Sequence, residues 1–169
     1  NNDLIEEEAD PNPLSLYAAT KLEAEKYVLK NAKNALVFRL GTLFGLGDRH
    51  SRMRLDLVAN ILSMRAAKGE TLTIFGGEQW RPLLHVRDVS TAILHGLNNN
   101  ITGLYNLSYK NYKISELGKA ISNLIPTCTI EYTDMKFEDL RNYRVKNDKF
   151  MATGWEPHYT LEDGINQIF

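Results

Sequence analysis

Helix-like and strand-like segments alternate along this chain, and that alternation restricts its fold more than any other feature. Runs rich in helix-forming residues predict helices over 15–31, 54–68, 87–97, 115–124 and 161–169. Short apolar runs between them predict strands over 35–39, 72–75, 83–85, 104–107 and 129–132. The run at 35–38 is apolar throughout, as in a parallel strand that is buried on both faces. This order of elements predicts an α/β fold built around a parallel sheet.

Two of the predicted helices carry capping signals at their starts. Asp88 is expected to accept hydrogen bonds from free backbone amides at the start of the third helix. Thr160 and Asp163 have the spacing of a capping box at the start of the last helix, with Asp in place of the usual Glu or Gln. Both signals support the proposed helix boundaries.

Composition places the chain among folded proteins and excludes several classes of function. The chain is 43% hydrophobic and 24% charged with a formal net charge of −1, so no surface for nucleic acid is expected. No apolar run approaches the roughly 20 residues that span a bilayer, and no signal peptide is visible, so we expect no membrane segment and a cytoplasmic location. The single cysteine, Cys128, cannot form an internal disulfide and is expected to be a small buried hydrophobic residue. No metal site is expected.

Tyr17 and Lys21 form a candidate catalytic pair. Four-residue spacing on a helix places the phenol and the ammonium on one face, about one turn apart. Tyrosine normally titrates near pH ~10, and a nearby cation favours the phenolate, which makes Tyr17 a usable proton donor or acceptor. The structural alternative is a surface tyrosine on an amphipathic helix.

Two other pairs in the chain share this spacing: Tyr109 with Lys113 and Tyr132 with Lys136. Tyr17 follows a turn-rich stretch at 12–16 and precedes a strong helix-forming run at 21–30. Tyr109 instead lies in a polar turn, and Tyr132 ends a short apolar run, where residues four apart need not share a face. The context therefore favours the first pair.

Four blocks of sequence occur in a characteristic order: PLSLYAATKLEAE at 13–25, FRLGTLFG at 38–45, FGGEQWRPLLHVRDV at 75–89, and GWEP at 154–157 followed by TLEDGI at 160–165. Together they resemble the extended short-chain dehydrogenase/reductase family, which contains the NAD-dependent nucleotide-sugar epimerases and dehydratases. The resemblance covers nearly the whole chain. It implies the C-terminal part of a Rossmann-like doubly wound sheet plus a smaller α/β substrate-binding domain. It also implies NAD, or NADP, as the cofactor and a nucleoside-diphosphate sugar as the substrate.

The glycine-rich GxxGxxG turn with which this family receives the pyrophosphate of NAD does not occur in the chain. We therefore expect the chain to be the C-terminal portion of a longer enzyme and to be inactive alone. Residues 1–45 are expected to be the remnant of the NAD-binding domain that carries Tyr17 and Lys21. Residues 46–169 are expected to form mainly the domain that binds the nucleotide sugar.

Arginine and polar side chains are expected around the substrate. Arg81 follows a glycine pair and precedes a proline, so a stiffened loop could present its guanidinium for bidentate bonds to phosphate; a surface ion pair is the alternative. The resemblance supports Arg81 as a diphosphate ligand and adds Asn60, which could equally be an ordinary polar residue of a helix. Arg54 or its neighbour Arg52 could face the substrate, although a solvated run of charges explains them as well.

Two sites depart from the pattern of the family. Thr42 stands where many relatives carry Asn, and as a shorter side chain with one donor it is expected to make at most a weak sugar contact. Near the C-terminus many relatives have Arg-x-Gly-Asp, where this chain has Lys136 to Asp139. Lys136 keeps the positive charge but loses the planar fork, so Arg141 or Arg144 could substitute for it in binding phosphate.

The reaction that the resemblance implies is oxidation of a sugar hydroxyl by hydride transfer to NAD, with Tyr17 accepting the proton. Lys21 would bond the nicotinamide ribose and lower the tyrosine pKa. Reduction of the keto sugar on its other face would give an epimerase, and loss of water a dehydratase. The rival hypothesis is a non-catalytic nucleotide-sugar-binding module or an inactive relative. A second apolar face on the Tyr17 helix, with Leu22, Leu29 and Tyr27, predicts a homodimer packed through this helix.

Overall fold

The computed structural model describes residues 4–133 and 142–169. Its strands are β1 (Leu4–Ile5), β2 (Leu36–Leu40), β3 (Thr42–Phe44), β4 (Leu72–Phe75), β5 (Trp80–His85), β6 (Gly103–Leu107), β7 (Lys110–Lys113), β8 (Ile130–Thr133) and β9 (Arg144–Val145). Its helices are α1 (Leu16–Asn31), α2 (Val58–Ala67), α3 (Val86–Asn98), α4 (Ile114–Leu124), α5 (Asp148–Met151) and α6 (Leu161–Asn166). Among the described residues, no helix combines the length and the apolar character that a membrane crossing requires.

Parallel strand pairs dominate the fold, as the predicted α/β class requires. β2 pairs with β6, β4 with β8 and β1 with β9, all in parallel. β5 is the centre of a three-stranded sheet, parallel to β3 and antiparallel to β7. The pairing of β2 with β6 joins segments on either side of position 45, where the sequence predicts a domain boundary; that boundary stays a prediction.

The elements that the sequence pattern missed are short or polar. β7 has the sequence Lys-Asn-Tyr-Lys and becomes a strand because the edge of β5 supplies its hydrogen-bond partners. β1, β3, β9 and α5 have only two to four residues each. α2 begins at Val58 rather than at Arg54. The Arg54 carbonyl accepts from the side-chain amide of Asn60 at 3.0 Å, so residues 54–57 form a loop instead of a first helical turn.

In the described part of the chain, two groups of buried side chains form the core. One lies among α2, α4 and α6 and includes Phe44, Leu83 and Leu161. The other surrounds the ring of Phe150. Cys128 belongs to the first group, and burial raises the pKa of its thiol, which confirms the expected buried hydrophobic role.

Asp88 does not cap α3, so that prediction was wrong. The Nδ1 atom of His85 accepts from the Arg87 amide at the start of this helix instead. Asp88 is 0% exposed, and its carboxylate accepts from the backbone amides of His158 and Tyr159 at 3.0 and 3.2 Å. Because the side chain lies inside the first turn and faces the C-terminal segment, it satisfies amides there rather than those of its own helix.

The capping box predicted at the start of α6 is confirmed. Thr160 Oγ1 accepts from the Asp163 amide at 3.1 Å, and the Asp163 carboxylate accepts from the Thr160 amide at 2.8 Å. Beyond the helix, Oε1 of Gln167 accepts from the Leu46 amide at 2.9 Å. The C-terminal segment is thereby tied to the turn after β3.

His85 strengthens this connection from the end of β5. Its side chain is 0% exposed, and its Nε2 lies 3.0 Å from Oε1 of Gln167. Because Nδ1 accepts from the Arg87 amide, the neutral ring carries its proton on Nε2 and donates to Gln167. Gly45 packs directly on the ring, since a Cβ at this position would lie 2.1 Å from Nε2. These contacts hold the turn that leads into the loop before α2.

Acid should destabilise the folded chain through His85. Burial lowers the pKa of its imidazole, so below pH ~6.5 the unfolded chain binds a proton that the folded chain does not bind. The stability that the neutral ring contributes is complete above pH ~6.5 and is lost as the pH falls below that value. The free energy of unfolding decreases by at most about 1.4 kcal/mol for each pH unit. Urea unfolding between about pH 8 and pH 5 measures this loss. His85→Gln should flatten the profile, whereas His50→Gln, at an exposed position, should keep it. An unchanged slope in His85→Gln would contradict the assignment.

Candidate functional site

α1 presents Tyr17 and Lys21 to solvent. Ser15 Oγ accepts from the Ala18 amide at 3.1 Å, so the helix begins at Leu16, immediately before the tyrosine. Tyr17 is 73% exposed. One turn later, the Nζ atom of Lys21 lies 5.8 Å from the centroid of the Tyr17 ring. The phenol and the ammonium therefore share one face of the helix.

Tyr109 and Lys113, a pair with the same spacing, have no such geometry. Tyr109 precedes β7 and Lys113 ends it, so the chain between them is extended. The ammonium of Lys113 lies 2.6 Å from a carboxylate oxygen of Glu78. Tyr132 lies in β8, and Lys136 lies outside the described residues.

The loop before α2 carries a charged pair, Arg54 and Asp56. The guanidinium of Arg54 donates to both carboxylate oxygens of Asp56, with Nε–Oδ1 at 2.7 Å and Nη2–Oδ2 at 2.6 Å. These bonds lower the pKa of Asp56 to about 2 and are the main reason why the pKa of Arg54 is raised.

Arg54 is among the side chains that the sequence predicts near the substrate, whereas Asp56 is not. The signal that could have found the carboxylate is the Arg-x-Asp spacing in a polar loop, since residues two apart in a turn can bring their side chains together. Arg52, the alternative to Arg54, is exposed in the same loop.

Asn60 fixes this loop from inside the protein. Its side chain is 2% exposed; Oδ1 accepts from the Gly45 amide at 2.9 Å, and Nδ2 donates to the Arg54 carbonyl at 3.0 Å. The buried amide thus connects the turn after β3 to the backbone of Arg54. A contact between Asn60 and substrate stays a prediction.

Arg81 lies in β5, and the prediction that a stiffened loop presents it was wrong. The residue is 7% exposed, and its Nη1 donates to the carbonyl of Trp80 at 2.8 Å. The strand forms because β3 and β7 pair with β5 on its two sides. In this register Leu83 lies opposite Thr42 and Arg81 opposite Tyr112. Side chains two apart on a strand share a face, so Thr42 and Arg81 project from the same face of the sheet.

The last two predicted substrate ligands, Lys136 and Asp139, lie outside the described residues. Arg141, one of the two suggested substitutes for Lys136, also lies outside them. The other, Arg144, lies in β9 with its guanidinium carbon 5.1 Å from the centroid of the Trp80 ring. Its Nε is buried without a hydrogen-bond partner in the described part of the chain. Arg144 is therefore a cation beside β5.

This arrangement can support proton transfer and anion binding. Tyr17 offers a hydroxyl beside the Lys21 ammonium, and arginine side chains lie in the loop before α2 and on β5. Within residues 4–133 and 142–169, no three His, Cys, Asp or Glu side chains are grouped to hold a metal ion.

Residues 1–108 match the model of the NAD dependent epimerase/dehydratase family. The chain is 28% identical to UDP-glucuronic acid decarboxylase 1 of Danio rerio over 167 residues, which cover 92% of this chain and 38% of the decarboxylase. It is 35% identical to methionine adenosyltransferase 2 subunit beta of Bos taurus over 86 residues, which cover 51% of this chain and 25% of that subunit. The chain thus spans well under half the length of these curated relatives.

A solved structure shares the fold. RMD from Pseudomonas aeruginosa, complexed with NADPH, superposes with a TM-score of 0.79 at 26% identity, over 97% of this chain and 58% of that one. The predicted fold class, an α/β portion of a Rossmann-like protein, is confirmed.

Proposed function

Because this chain belongs to the NAD dependent epimerase/dehydratase family, as its resemblance to the extended short-chain dehydrogenases/reductases predicted, we propose that it is part of a nucleotide-sugar epimerase or dehydratase. The proposed enzyme acts by hydride transfer through a keto-sugar intermediate. The observation that carries the proposal is the pairing of Tyr17 with Lys21 on the exposed face of α1. Similarity to a relative named for a UDP-sugar substrate supports the nucleotide-sugar class.

In the proposed reaction, Tyr17 moves the proton of the sugar hydroxyl. The Tyr17 oxygen accepts this proton while the sugar carbon that bears the hydroxyl loses a hydride. Tyr17 returns a proton to the sugar oxygen when the keto group is reduced. The ammonium of Lys21 stabilises negative charge on the phenol oxygen through both steps. The hydride acceptor and donor would be supplied by a nicotinamide cofactor when it is bound.

The described residues fit a nicotinamide nucleotide at this position. Within the described part of the chain, the Lys21 ammonium has no hydrogen bond or ion pair, so its three N–H donors are available to the hydroxyls of a ribose. The exposed hydroxyl of Tyr17 lies on the same helix face. We propose that these two residues hold the nicotinamide end of NAD, with NADP as the alternative that the NADPH-bound relative supports.

Two arginines support binding of a nucleoside-diphosphate sugar. Arg54 and Arg81 carry guanidinium groups, which bind phosphate oxygens through parallel hydrogen bonds. The remaining proposed ligands are Thr42, Asn60, Lys136 and Asp139, with Arg144 as a further cation. Residues 1–45 supply the proton-transfer helix in this proposal, and residues 46–169 supply mainly the substrate side. A cytoplasmic location is part of the proposal, because nucleotide sugars and nicotinamide cofactors are present there.

The fate of the keto sugar decides the class of enzyme. Reduction on the other face gives epimerisation, and loss of water gives a dehydratase. The test is to incubate the complete protein that contains this chain with the cofactor and a panel of nucleotide sugars that includes UDP-glucuronic acid, and to identify products by NMR. Conversion of none of them would contradict the proposal.

A non-catalytic role is the second candidate. The similarity to methionine adenosyltransferase 2 subunit beta, which is named as a subunit of another enzyme, favours it. In that case the complete protein should bind a nucleotide without converting any sugar, and Tyr17→Phe should leave its function unchanged. The product assay therefore separates the two candidates.

A homodimer that packs through α1 is the proposed assembly. The helix has no buried residue, and Leu16, Tyr27 and Leu29 are 82%, 69% and 37% exposed. Leu22 and Leu29 are two turns apart and share a face, so packing this face against a second subunit would remove apolar surface from water. Light scattering on the complete protein at micromolar concentration should give the mass of a dimer. Leu29→Glu should shift it towards the monomer while Lys30→Glu should not, and a wild-type monomer would rule out this assembly.

A further inference from the structure

We propose that Asp56 acts as an internal competitor that occupies the Arg54 guanidinium until an oxyanion of the nucleotide sugar displaces it, and that Asp56 thereby lowers the affinity of the site. The inference rests on the proposed function. It adds to that function a residue that limits substrate binding without contributing to the chemistry.

The geometry of the pair is that of a bound ligand. Asp56 accepts from Nε and Nη2 of Arg54 through two parallel hydrogen bonds of 2.7 and 2.6 Å. A phosphate group or a carboxylate on a sugar uses the same fork of donors. An incoming oxyanion and Asp56 therefore exclude each other from this edge of the guanidinium.

Displacement of Asp56 costs little. The side chains of Arg54 and Asp56 are 59% and 63% exposed, and exposed ion pairs contribute little free energy because water screens them and both side chains lose rotamer freedom. Asp56 is itself solvated once released. The exchange thus requires only rotation of side chains in the loop.

The backbone under Arg54 does not have to move during this exchange. The buried side chain of Asn60 donates to the Arg54 carbonyl and accepts from the Gly45 amide, and Gly45 packs on the His85 ring. The backbone at Arg54 is therefore held in place, while the exposed guanidinium can change its hydrogen-bond partner.

In the proposed function Arg54 binds the substrate through an oxyanion. This oxyanion has two sources in a nucleotide sugar: the diphosphate, or the carboxylate of a uronic acid such as the one in the name of the Danio rerio relative. Both have the same acceptor geometry, and binding experiments separate them.

The test is calorimetric titration of the complete protein with UDP-glucuronic acid, UDP-glucose and UDP. Asp56→Asn keeps the size of the side chain and removes its charge, and it should lower the Kd of a ligand that uses Arg54 by about two- to fivefold, the size of exposed ion-pair effects. Arg54→Gln should raise the same Kd. In the Arg54→Gln background, Asp56→Asn should not change Kd, because the guanidinium that the Asp56 carboxylate binds is then absent.

Asp48→Asn is the matched control, since it removes one negative charge from an exposed position in the same loop. Tighter binding of UDP-glucuronic acid alone assigns Arg54 to a sugar carboxylate, and tighter binding of all three ligands assigns it to the diphosphate. The inference is overturned if Asp56→Asn leaves every Kd unchanged, if Asp48→Asn has the same effect, or if the effect persists without Arg54. If the wild-type protein binds none of the three ligands, the proposed function fails and this inference fails with it. If the wild-type protein binds them but the Asp56 variant does not behave as expected, only this inference fails.

Discussion

Tyr17→Phe in the complete protein is expected to lower turnover of the nucleotide sugar by about 100-fold or more, because positioned acid-base groups typically contribute about 10²–10⁴ in rate. The substitution removes one oxygen and leaves the ring beside Lys21 in place. Affinity for the nicotinamide cofactor should therefore change little. Steady-state product formation measures kcat, and titration of the cofactor by fluorescence measures its Kd.

Tyr27→Phe is the matched control for this experiment. Tyr27 lies on the same helix at 69% exposure and outside the proposed pair, so the variant should keep wild-type turnover. Lys21→Ala should reduce both turnover and cofactor affinity, since the ammonium is proposed to serve the phenol and the ribose. Wild-type turnover in Tyr17→Phe would remove Tyr17 from the mechanism.

Arg81→Ala is expected to weaken binding of the nucleotide sugar by roughly 1.5–3 kcal/mol, the scale of a hydrogen bond to a charged group. The loss should be similar for the free nucleoside diphosphate, because the proposed contact is with phosphate rather than with sugar. Cofactor affinity should stay close to that of the wild type. Calorimetry with the nucleoside diphosphate measures the effect directly.

A structural role of Arg81 requires its own control, because the residue is only 7% exposed. Arg81→Lys keeps the positive charge and loses the planar fork, so it should give a partial loss of affinity. Thermal unfolding of both variants shows whether the fold survives, and Arg49→Ala, at an exposed position, should change neither property. An unaltered titration in a folded Arg81→Ala variant would support a purely structural ion pair.

The candidate proton-transfer pair could be predicted from sequence because its geometry is local. Residues four apart on a helix lie on one face whatever the helix packs against, and Ser15 starts α1 one residue before Tyr17. The capping box of Thr160 and Asp163 is local for the same reason. Family blocks in their characteristic order added the fold class, which needs no knowledge of individual contacts.

Other parts of the site depended on pairing between distant segments. The polar sequence of β7 forms a strand, and Arg81 lies in β5 rather than in a loop, because backbone hydrogen bonds across the three-stranded sheet decide both. Asp88 accepts from amides 70 and 71 residues away, which no helix-start rule anticipates.

The positions of α1, α3 and α4, the Tyr17 face and the buried Cys128 were thus determined by the sequence itself, because short-range backbone geometry and hydrophobicity act within a few residues. The loop that holds Arg54 was decided only by the tertiary structure. Its start and its anchor depend on hydrogen bonds from the side chain of Asn60 to the Gly45 amide and the Arg54 carbonyl, and these form only once the core has buried Asn60.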